Sequence, residues 1–313
     1  MAAGAAAIGA SGCEGPRVGE ALDQVGGNAG VSSAGSNSGG PGSGGNASGN
    51  GGNGGSSAGA SAVGGEAGEP GAAGSGACTG DGASTRGPEL VCIPGGTFSM
   101  GTEVLQGLIA TPIHPETVAS FYMDKTEVTL GQYMQCMDDA PELCTPPDDY
   151  NVDFQLFCYF PDTTRAEYPA NCIDWYQAKA FCEWADKRLP TEIEYEYSVR
   201  GTVNRTYPWG SAAPAEQLCW SGTATTGPCP VGSFPAGDTP EGLEDLAGSV
   251  WEMTASYYCT YTDQGIGPPC DQNTVIRRGG SFWSNATYHA NAGFREELVP
   301  SRRSPEVGFR CAR

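Results

Sequence analysis

The stretch Ile173–Gly201, IDWYQAKAFCEWADKRLPTEIEYEYSVRG, predicts two consecutive helices. Asp174 followed three residues later by Gln177 has the pattern of a capping box, and apolar residues recur after it at helical spacing. Thr191 with Glu194 repeats the pattern after a proline and predicts a second capped helix.

Towards the N-terminus, the sequence predicts strands and one more helix. Leu90–Met100 reads as two short strands around a Pro-Gly-Gly turn, and Phe121–Met123 reads as a third strand. Thr129 with Gln132 predicts a capped helix. After residue 201 we expect only short strands in much irregular structure, and the class is therefore α+β. The clearest late strands are Val275–Arg278 and Val307–Cys311.

Composition divides the chain at about residue 77. Residues 1–77 hold 26 of the 48 glycines and none of the 29 aromatic residues. Such a segment cannot bury enough apolar surface to offset its ordering entropy, so we expect a disordered, flexible linker over residues 14–77. The folded domain is expected over residues 78–313, with one sizeable core. No run of 18 apolar residues occurs, which excludes a membrane-spanning helix.

The chain is strongly acidic, with a formal net charge of −20. This charge repels phosphate backbones and makes nucleic acid an unfavourable partner. It favours cations, including Ca²⁺. A simpler interpretation is a solvated acidic surface.

Cysteine usage indicates an oxidising compartment. Twelve of the 13 cysteines lie between Cys78 and Cys311, and none forms a Cys-x₂-Cys pair typical of zinc clusters. We therefore expect up to six disulfides in an extracytoplasmic protein. Count and spacing leave the connectivity open.

Residues 1–13 carry a partial export signal. Ala10-Ser11-Gly12-Cys13 is similar to a bacterial lipobox, although Ala10 stands where leucine is usual and a basic start is missing. One expectation is a domain tethered to the cell envelope through a lipid on Cys13, with the linker as its tether. The alternatives are a secreted protein and an ordinary Cys13 in a disordered tail.

Five motifs together resemble the formylglycine-generating enzyme family, also called sulfatase-modifying factors. They occur in the family's order and rough spacing over about residues 88–313. The resemblance implies a single α+β domain, related to C-type lectin folds, with little regular secondary structure. The motifs are Val91–Gly101 (VCIPGGTFSMG), Phe121–Tyr133 (FYMDKTEVTLGQY), Ile173–Gly201, Gly232–Glu252 (GSFPAGDTPEGLEDLAGSVWE) with Arg278–Ser281 (RGGS), and Gly308–Cys311 (GFRC).

The resemblance also implies where oxidase chemistry would sit. Family members oxidise a cysteine of a sulfatase signature with O₂ and a copper ion held by two cysteines shortly after the RGGS motif. Ser284 and His289 occupy those two positions here, and Asn285 replaces a family histidine. Ser281 and Trp251 match residues that line the family's oxygen site. A hydroxyl and one imidazole are poor ligands for Cu(I), so we expect copper chemistry to be lost.

A second metal could replace copper. Iron(II) usually takes two histidines and a carboxylate, and the chain has only His114 and His289, with Glu296 and Glu297 near the second. An iron site would require the fold to bring these groups together. The alternative, which we favour, is that His114 is a hydrogen-bonded loop residue.

The resemblance further implies a Ca²⁺ site and one disulfide. Asp245 and Glu252 would supply side-chain oxygens, and Gly248 and Val250 would supply backbone carbonyls, all hard ligands that suit Ca²⁺. A solvated acidic turn is the alternative. The implied disulfide joins Cys182 to Cys311.

The sequence therefore favours a ligand-binding domain that has lost formylglycine synthesis. Its binding surface would be the former substrate cleft, and its partner a protein, a peptide or a glycan; we expect a monomer. The alternative is a diverged metal-dependent oxidase acting on a protein or a small molecule. A disulfide-rich structural protein of the envelope is a third interpretation. The cleft residues are Trp251, Ser281, Trp283, Ser284 and His289, with Tyr288 beside them.

Overall fold

A computed structural model describes residue 78 and residues 85–103, 110–147, 157–223 and 227–313. The predicted tether, including Cys13, lies outside the described residues. The described residues form three α-helices, in chain order α1 (Leu130–Asp139), α2 (Trp175–Trp184) and α3 (Glu192–Arg200). The strands are β1 (Leu90–Ile93), β2 (Gly96–Met100), β3 (His114–Val118), β4 (Phe121–Asp124), β5 (Trp251–Thr262), β6 (Gly265–Arg278), β7 (Glu296–Leu298) and β8 (Val307–Gly308).

All three helices begin at the predicted capping boxes. In each, the cap side chain accepts the N–H of the third helical residue, whose side chain returns a bond to the cap backbone. These reciprocal bonds satisfy amides that a helix start leaves without partners, which is why short local motifs determine the helix boundaries. The cap pairs are Thr129 with Gln132, Asp174 with Gln177, and Thr191 with Glu194.

The strands form two small sheets and one larger sheet. β1 pairs with β4 and β2 pairs with β3, both antiparallel, so the two strands around the Pro-Gly-Gly turn do not pair with each other. The larger sheet has the order β7-β6-β5-β8, with β8 parallel to β5. None of the helices of the described ranges is long and apolar enough to cross a membrane.

The expectation of only short strands after residue 201 was wrong. β5 and β6 have 12 and 14 residues and form a long antiparallel hairpin. Shifts of register interrupt the pairing between Met253 and Tyr257 and again near Cys259. β6 also contains Pro268 and Pro269. These breaks remove the simple alternation by which a long strand is recognised in a sequence.

The C-terminal segment ties the early strands to the helices. The backbone N–H of Asp124 in β4 donates to the carbonyl of Cys311 at 2.8 Å, and that of Val128 donates to Phe309 at 2.9 Å. Arg188 and Ala312 exchange two backbone hydrogen bonds in the turn between α2 and α3. Phe309, Cys311 and Ala312 are fully buried. This segment therefore closes the domain.

Six disulfides reinforce the domain. Five join cysteines that are near in sequence, and one joins α2 to the C-terminal segment with a separation of 129 residues. In chain entropy terms, this last bond closes the longest loop and constrains the unfolded chain most. The pairs are Cys78–Cys92, Cys136–Cys144, Cys158–Cys172, Cys182–Cys311, Cys219–Cys229 and Cys259–Cys270.

A buried ionic network joins α3 to the hairpin. Glu192 Oε1 lies 2.7 Å from Arg278 Nη2 and 2.6 Å from Arg295 Nε. Glu196 lies 2.9 Å from Arg278 and 2.6 Å from Arg200. All of these side chains are nearly or completely buried. Removing one member of such a network leaves an uncompensated buried charge.

We expect Glu192→Gln to lower the free energy of unfolding by about 3–5 kcal/mol, because Arg278 and Arg295 both lose the Glu192 charge, although Arg278 keeps its pair with Glu196. The matched control is Glu183→Gln, whose exposed pair with Lys179 is worth about 0.3–0.5 kcal/mol. Urea unfolding with the disulfides intact measures both. A loss below about 1 kcal/mol in Glu192→Gln would mean that the network does not stabilise the fold.

Candidate functional site

The predicted catalytic positions lie in the loop that follows β6. The loop opens with Gly279 and Gly280, whose φ angles are 95° and 81°. A Cβ on Gly280 would lie 3.2 Å from Ser284 Oγ and 3.3 Å from His289 Cβ. The structure therefore brings Ser284 and His289 to one place, over a glycine that leaves room for both.

Arg278 fastens the two ends of this loop. Its Nη1 donates to the carbonyl oxygens of Ala292 at 2.9 Å and Phe294 at 3.3 Å. Its other terminal nitrogen belongs to the α3 network. The position of the loop is thus coupled to the buried charges beneath it.

Ser284 takes part in a tight turn with Ser281. The N–H of Ser281 donates to Ser284 Oγ at 2.9 Å, and the N–H of Ser284 donates to the carbonyl of Ser281 at 2.9 Å. Ser281 Oγ donates in turn to Glu306 at 3.3 Å. Both serines are buried, so their hydroxyls hold the turn together.

His289 lies among aromatic rings. Its ring centroid is 4.3 Å from that of Tyr288, 5.1 Å from that of Phe294 and 5.8 Å from that of Trp251. Its buried Nδ1 has no hydrogen-bond partner. Burial lowers the pKa of His289 below its ordinary value, against the opposing effect of Glu296 and other groups. The imidazole is therefore neutral at pH 7.

A charged cluster lies behind the aromatic rings. Arg277 Nη2 lies 2.6 Å from Glu296 and its Nη1 lies 3.3 Å from Glu306. The Arg277 guanidinium also stacks 5.0 Å above the ring of Trp251. The stacking positions Trp251, which is buried, and the two ion pairs join β6 to β7 and to the chain before β8.

The rim of the loop exposes aromatic surface. Trp283 is 39% exposed and Tyr288 is 40% exposed, on either side of buried Ser284 in sequence. Trp283 rests against Phe282 at 4.8 Å and against Phe157 at 5.6 Å between ring centroids. The half-exposed indole of Trp283 and the half-exposed phenol of Tyr288, both on this loop, are suited to stacking on a ligand.

The two histidines occupy different environments. His114 begins β3, where its ring meets Tyr261 edge-on at 4.8 Å and its Nε2 lies 3.5 Å from Glu116. Among the described residues, no aromatic ring contacts both His114 and His289. Nor do the described ranges hold any group of three His, Cys, Asp or Glu side chains that could bind a metal ion by themselves.

The predicted Ca²⁺ loop is a strained turn at the start of β5. Asp245, Gly248 and Ser249 all have positive φ angles, of 56°, 85° and 52°. Asp245 Oδ2 accepts the N–H of Gly232 at 2.6 Å. Glu252 at the end of the turn faces the interior, where both of its oxygens accept hydrogen bonds from Arg310. Glu252 is therefore committed to an ion pair, and Asp245 keeps capacity for a ligand.

Sequence reasoning missed Glu127, two residues before the cap of α1. This carboxylate is completely buried, and neither oxygen has a hydrogen-bond partner. Burial raises its pKa well above the ordinary value, with a further increase from Asp245 and Glu252. Its place within the FYMDKTEVTLGQY motif was the only sequence signal. Its hard, unpartnered oxygens fit Ca²⁺, whereas the described residues offer no free thiolates for copper.

Comparisons with known proteins agree with this architecture of few helices, small sheets and six disulfides. The model of the sulfatase-modifying factor enzyme 1-like domain matches residues 78–313. The chain belongs to this family, as a single disulfide-rich α+β domain.

Relatives in the family carry different names. Mouse formylglycine-generating enzyme is 28% identical, with 72% of this chain and 74% of the relative covered. Hercynine oxygenase of Mycolicibacterium smegmatis is 29% identical, with 79% and 63% covered. The bovine inactive C-alpha-formylglycine-generating enzyme 2 is 28% identical, with 71% and 87% covered. Similarity at this level shows the family, and the activity has to be argued from the residues of the site.

Among solved structures, PvdO from Pseudomonas aeruginosa shares the fold with a TM-score of 0.59 at 23% identity. The match covers 75% of this chain and 99% of PvdO. This likeness concerns the fold alone.

We expect His289 to titrate below the ordinary histidine value of 6.5, because burial disfavours the imidazolium. The chain has two histidines, so NMR titration of the ring protons resolves them, and loss of one signal in His289→Gln assigns it. Because the folded pKa is lowered, the contribution of His289 to stability is lost as pH falls through the histidine range. A midpoint at or above 6.5 would contradict this environment.

Proposed function

We propose that residues 78–313 form an extracytoplasmic ligand-binding domain that uses the family's scaffold without formylglycine synthesis. Ser284 carries the proposal. Its hydroxyl stands at the first copper-cysteine position, is buried, and accepts the amide N–H of Ser281. A protonated hydroxyl in this role is a structural group and a poor ligand for Cu(I).

The other possible copper ligands support the same proposal. His289 at the second position is surrounded by aromatic rings. All twelve cysteines from Cys78 to Cys311 are in disulfides, so none can replace the missing thiolates. One relative is itself named as an inactive formylglycine-generating enzyme, which makes a change of role within this family reasonable.

The proposed ligand surface is the rim formed by Trp283 and Tyr288. Both rings are half exposed, and Asn285 and Thr287 between them are exposed polar residues. Alternating flat apolar rings and hydrogen-bonding groups suit a glycan or an extended peptide. The acidic chain, with net charge −20, disfavours nucleic acid.

Six disulfides are typical of an oxidising compartment, which supports an extracytoplasmic location. We propose that lipid on Cys13, or secretion, brings the domain there, that residues 14–77 act as a flexible spacer and that the domain is a monomer. In this scheme Ca²⁺ at the turn before β5 stabilises the scaffold and takes no part in chemistry.

We expect the wild-type chain to leave a sulfatase-signature cysteine peptide unmodified in the presence of Cu(I) and O₂. Ser284→Cys/His289→Cys should bind Cu(I) in competition with a chromogenic chelator, because two thiolates restore a soft site. Ser284→Cys alone is the matched control and should bind more weakly. Conversion of the peptide by the wild type, followed by mass spectrometry, would establish the diverged oxidase instead.

We expect binding on a glycan array or a peptide array to depend on the rim. Trp283→Ala and Tyr288→Ala should each weaken the fluorescence signal of the labelled full chain by roughly tenfold or more, as for aromatic residues at the centre of an interface. Tyr176→Ala is the matched control, because Tyr176 is an exposed aromatic residue on α2. Equal signals from all three variants, or no signal from the wild type on either array, would refute the proposed surface.

A further inference from the structure

A loop before α2, residues 157–172, packs against the aromatic rim and is called here the Phe157 loop. The ring of Phe157 meets that of Trp283 edge-on, with 5.6 Å between centroids, and lies 5.6 Å from that of Phe282. Phe157 is half-buried. More than a hundred residues separate Phe157 from Trp283 in the chain. The loop after β6 therefore does not form the rim alone.

Asn171 holds the start of the Phe157 loop from its other end. Its side-chain amide donates to the carbonyl oxygens of Phe157 at 2.6 Å and Pro305 at 2.8 Å. Its side-chain oxygen accepts the N–H of Tyr159 at 3.3 Å. Asn171 is buried, and a buried polar group that loses its partners is costly. These bonds therefore keep Phe157 in one place relative to the chain before β8.

A disulfide fastens the same two ends of the loop covalently. It joins Cys158, the neighbour of Phe157, to Cys172, the neighbour of Asn171. The N–H of Cys172 donates to the carbonyl of Ser304 at 3.1 Å. The disulfide and the Asn171 amide are thus two separate attachments of Phe157 to the same part of the fold.

The segment enclosed by the Cys219–Cys229 disulfide touches both sides of the rim. Gly227 has a φ of 113°, and a Cβ on it would lie 2.8 Å from the Phe157 ring. The N–H of Ser221 donates to the carbonyl of Ser284 at 3.2 Å. This segment therefore leaves room for Phe157 only because a glycine stands there, and it also bonds the loop that carries Trp283.

We propose that the Phe157 loop is the second wall of the ligand surface, and that Asn171 and the Cys158–Cys172 disulfide are its positioning residues. Phe157 holds Trp283 in the half-exposed position from which the indole can stack on a ligand, and its accessible part continues the aromatic surface. This inference rests on the proposed function, because it concerns the same rim. It adds a wall from another part of the chain and the groups that hold that wall in place.

The first test needs no ligand and is fluorine NMR of the full chain, labelled with fluorotryptophan and with its disulfides formed. The six tryptophans give six signals, and loss of one signal in Trp283→Phe assigns that residue. We expect the Trp283 signal to shift in Phe157→Ala, in Asn171→Ala and in Cys158→Ser/Cys172→Ser. In Phe157→Tyr, which keeps the ring, it should stay near its wild-type position.

The matched control is Cys78→Ser/Cys92→Ser. It removes a disulfide with the same sequence separation of 14 residues, so it loses a comparable constraint on the unfolded chain. Because this disulfide is attached to β1 and not to the Phe157 loop, the Trp283 signal should not move.

The second test uses the glycan and peptide arrays. Phe157→Ala and Cys158→Ser/Cys172→Ser should each weaken the array signal of the labelled full chain by roughly tenfold, as for residues at the centre of an interface. Phe157→Tyr and Cys78→Ser/Cys92→Ser should bind as the wild type does. A merely structural role of the disulfide would affect both disulfide variants alike.

Two results would overturn the proposal. An unchanged Trp283 signal in Phe157→Ala would show that the loop does not position the indole. Unchanged array binding by variants whose Trp283 signal has shifted would show that the wall plays no part in recognition. If the disulfide variant fails to fold, Phe157→Ala, which keeps all six disulfides, gives both measurements. Absence of array binding by the wild type refutes the proposed ligand surface, and the fluorine spectrum then still decides whether the loop positions Trp283.

Discussion

The ion pairs that Glu192 and Glu196 make with Arg278 support both the core and the candidate site. Arg278 ends the long hairpin, and its side chain also bonds the carbonyls at the far end of the following loop. The position of the loop with Ser284 and His289 therefore depends on the Arg278 guanidinium, which the acids of α3 hold in place. A buried charge that loses its partner is strongly destabilising, so Arg278 of the RGGS motif depends on the acids of α3.

Structural features that depend on a few consecutive residues could be predicted from the sequence, whereas those that depend on distant residues could not. The starts of α1, α2 and α3 followed from capping boxes, because each involves only four consecutive residues. The long hairpin did not follow, since its bulges and two prolines hide the alternation of β5 and β6. The strands around the Pro-Gly-Gly turn and the strand at Phe121–Met123 were predicted. Strand β3 and the pairing of β1 with β4 and of β2 with β3 were not, because pairing depends on tertiary contacts.

The candidate site shows the same division. The motifs predicted Ser284 and His289 as the two copper-cysteine positions, and the structure places both next to Gly280. Glu127 could not be recognised, because Arg310 and Asp245, whose charges act on its carboxylate, lie more than a hundred residues further along the chain. An acidic residue looks like a surface residue until the tertiary structure encloses it.

Under the proposed function, this chain keeps the family scaffold and lacks the family's copper chemistry. The buried pairs, the C-terminal closure and the RGGS turn are all present. Hydroxyl and imidazole groups stand where the family's resemblance implies thiolates, and their contacts serve packing. Exposed Trp283 and Tyr288 give the loop a surface that recognition can use.

The most direct test of whether the copper chemistry is lost is the metal content of the full chain, measured by elemental mass spectrometry. The chain is produced with its disulfides formed and dialysed against a mild chelator. The account predicts only traces of copper and iron, because the slot after the RGGS motif lacks soft ligands. Copper or iron at about one equivalent per chain, lost in Ser284→Ala or His289→Ala, would contradict it and show that a redox centre persists at the slot.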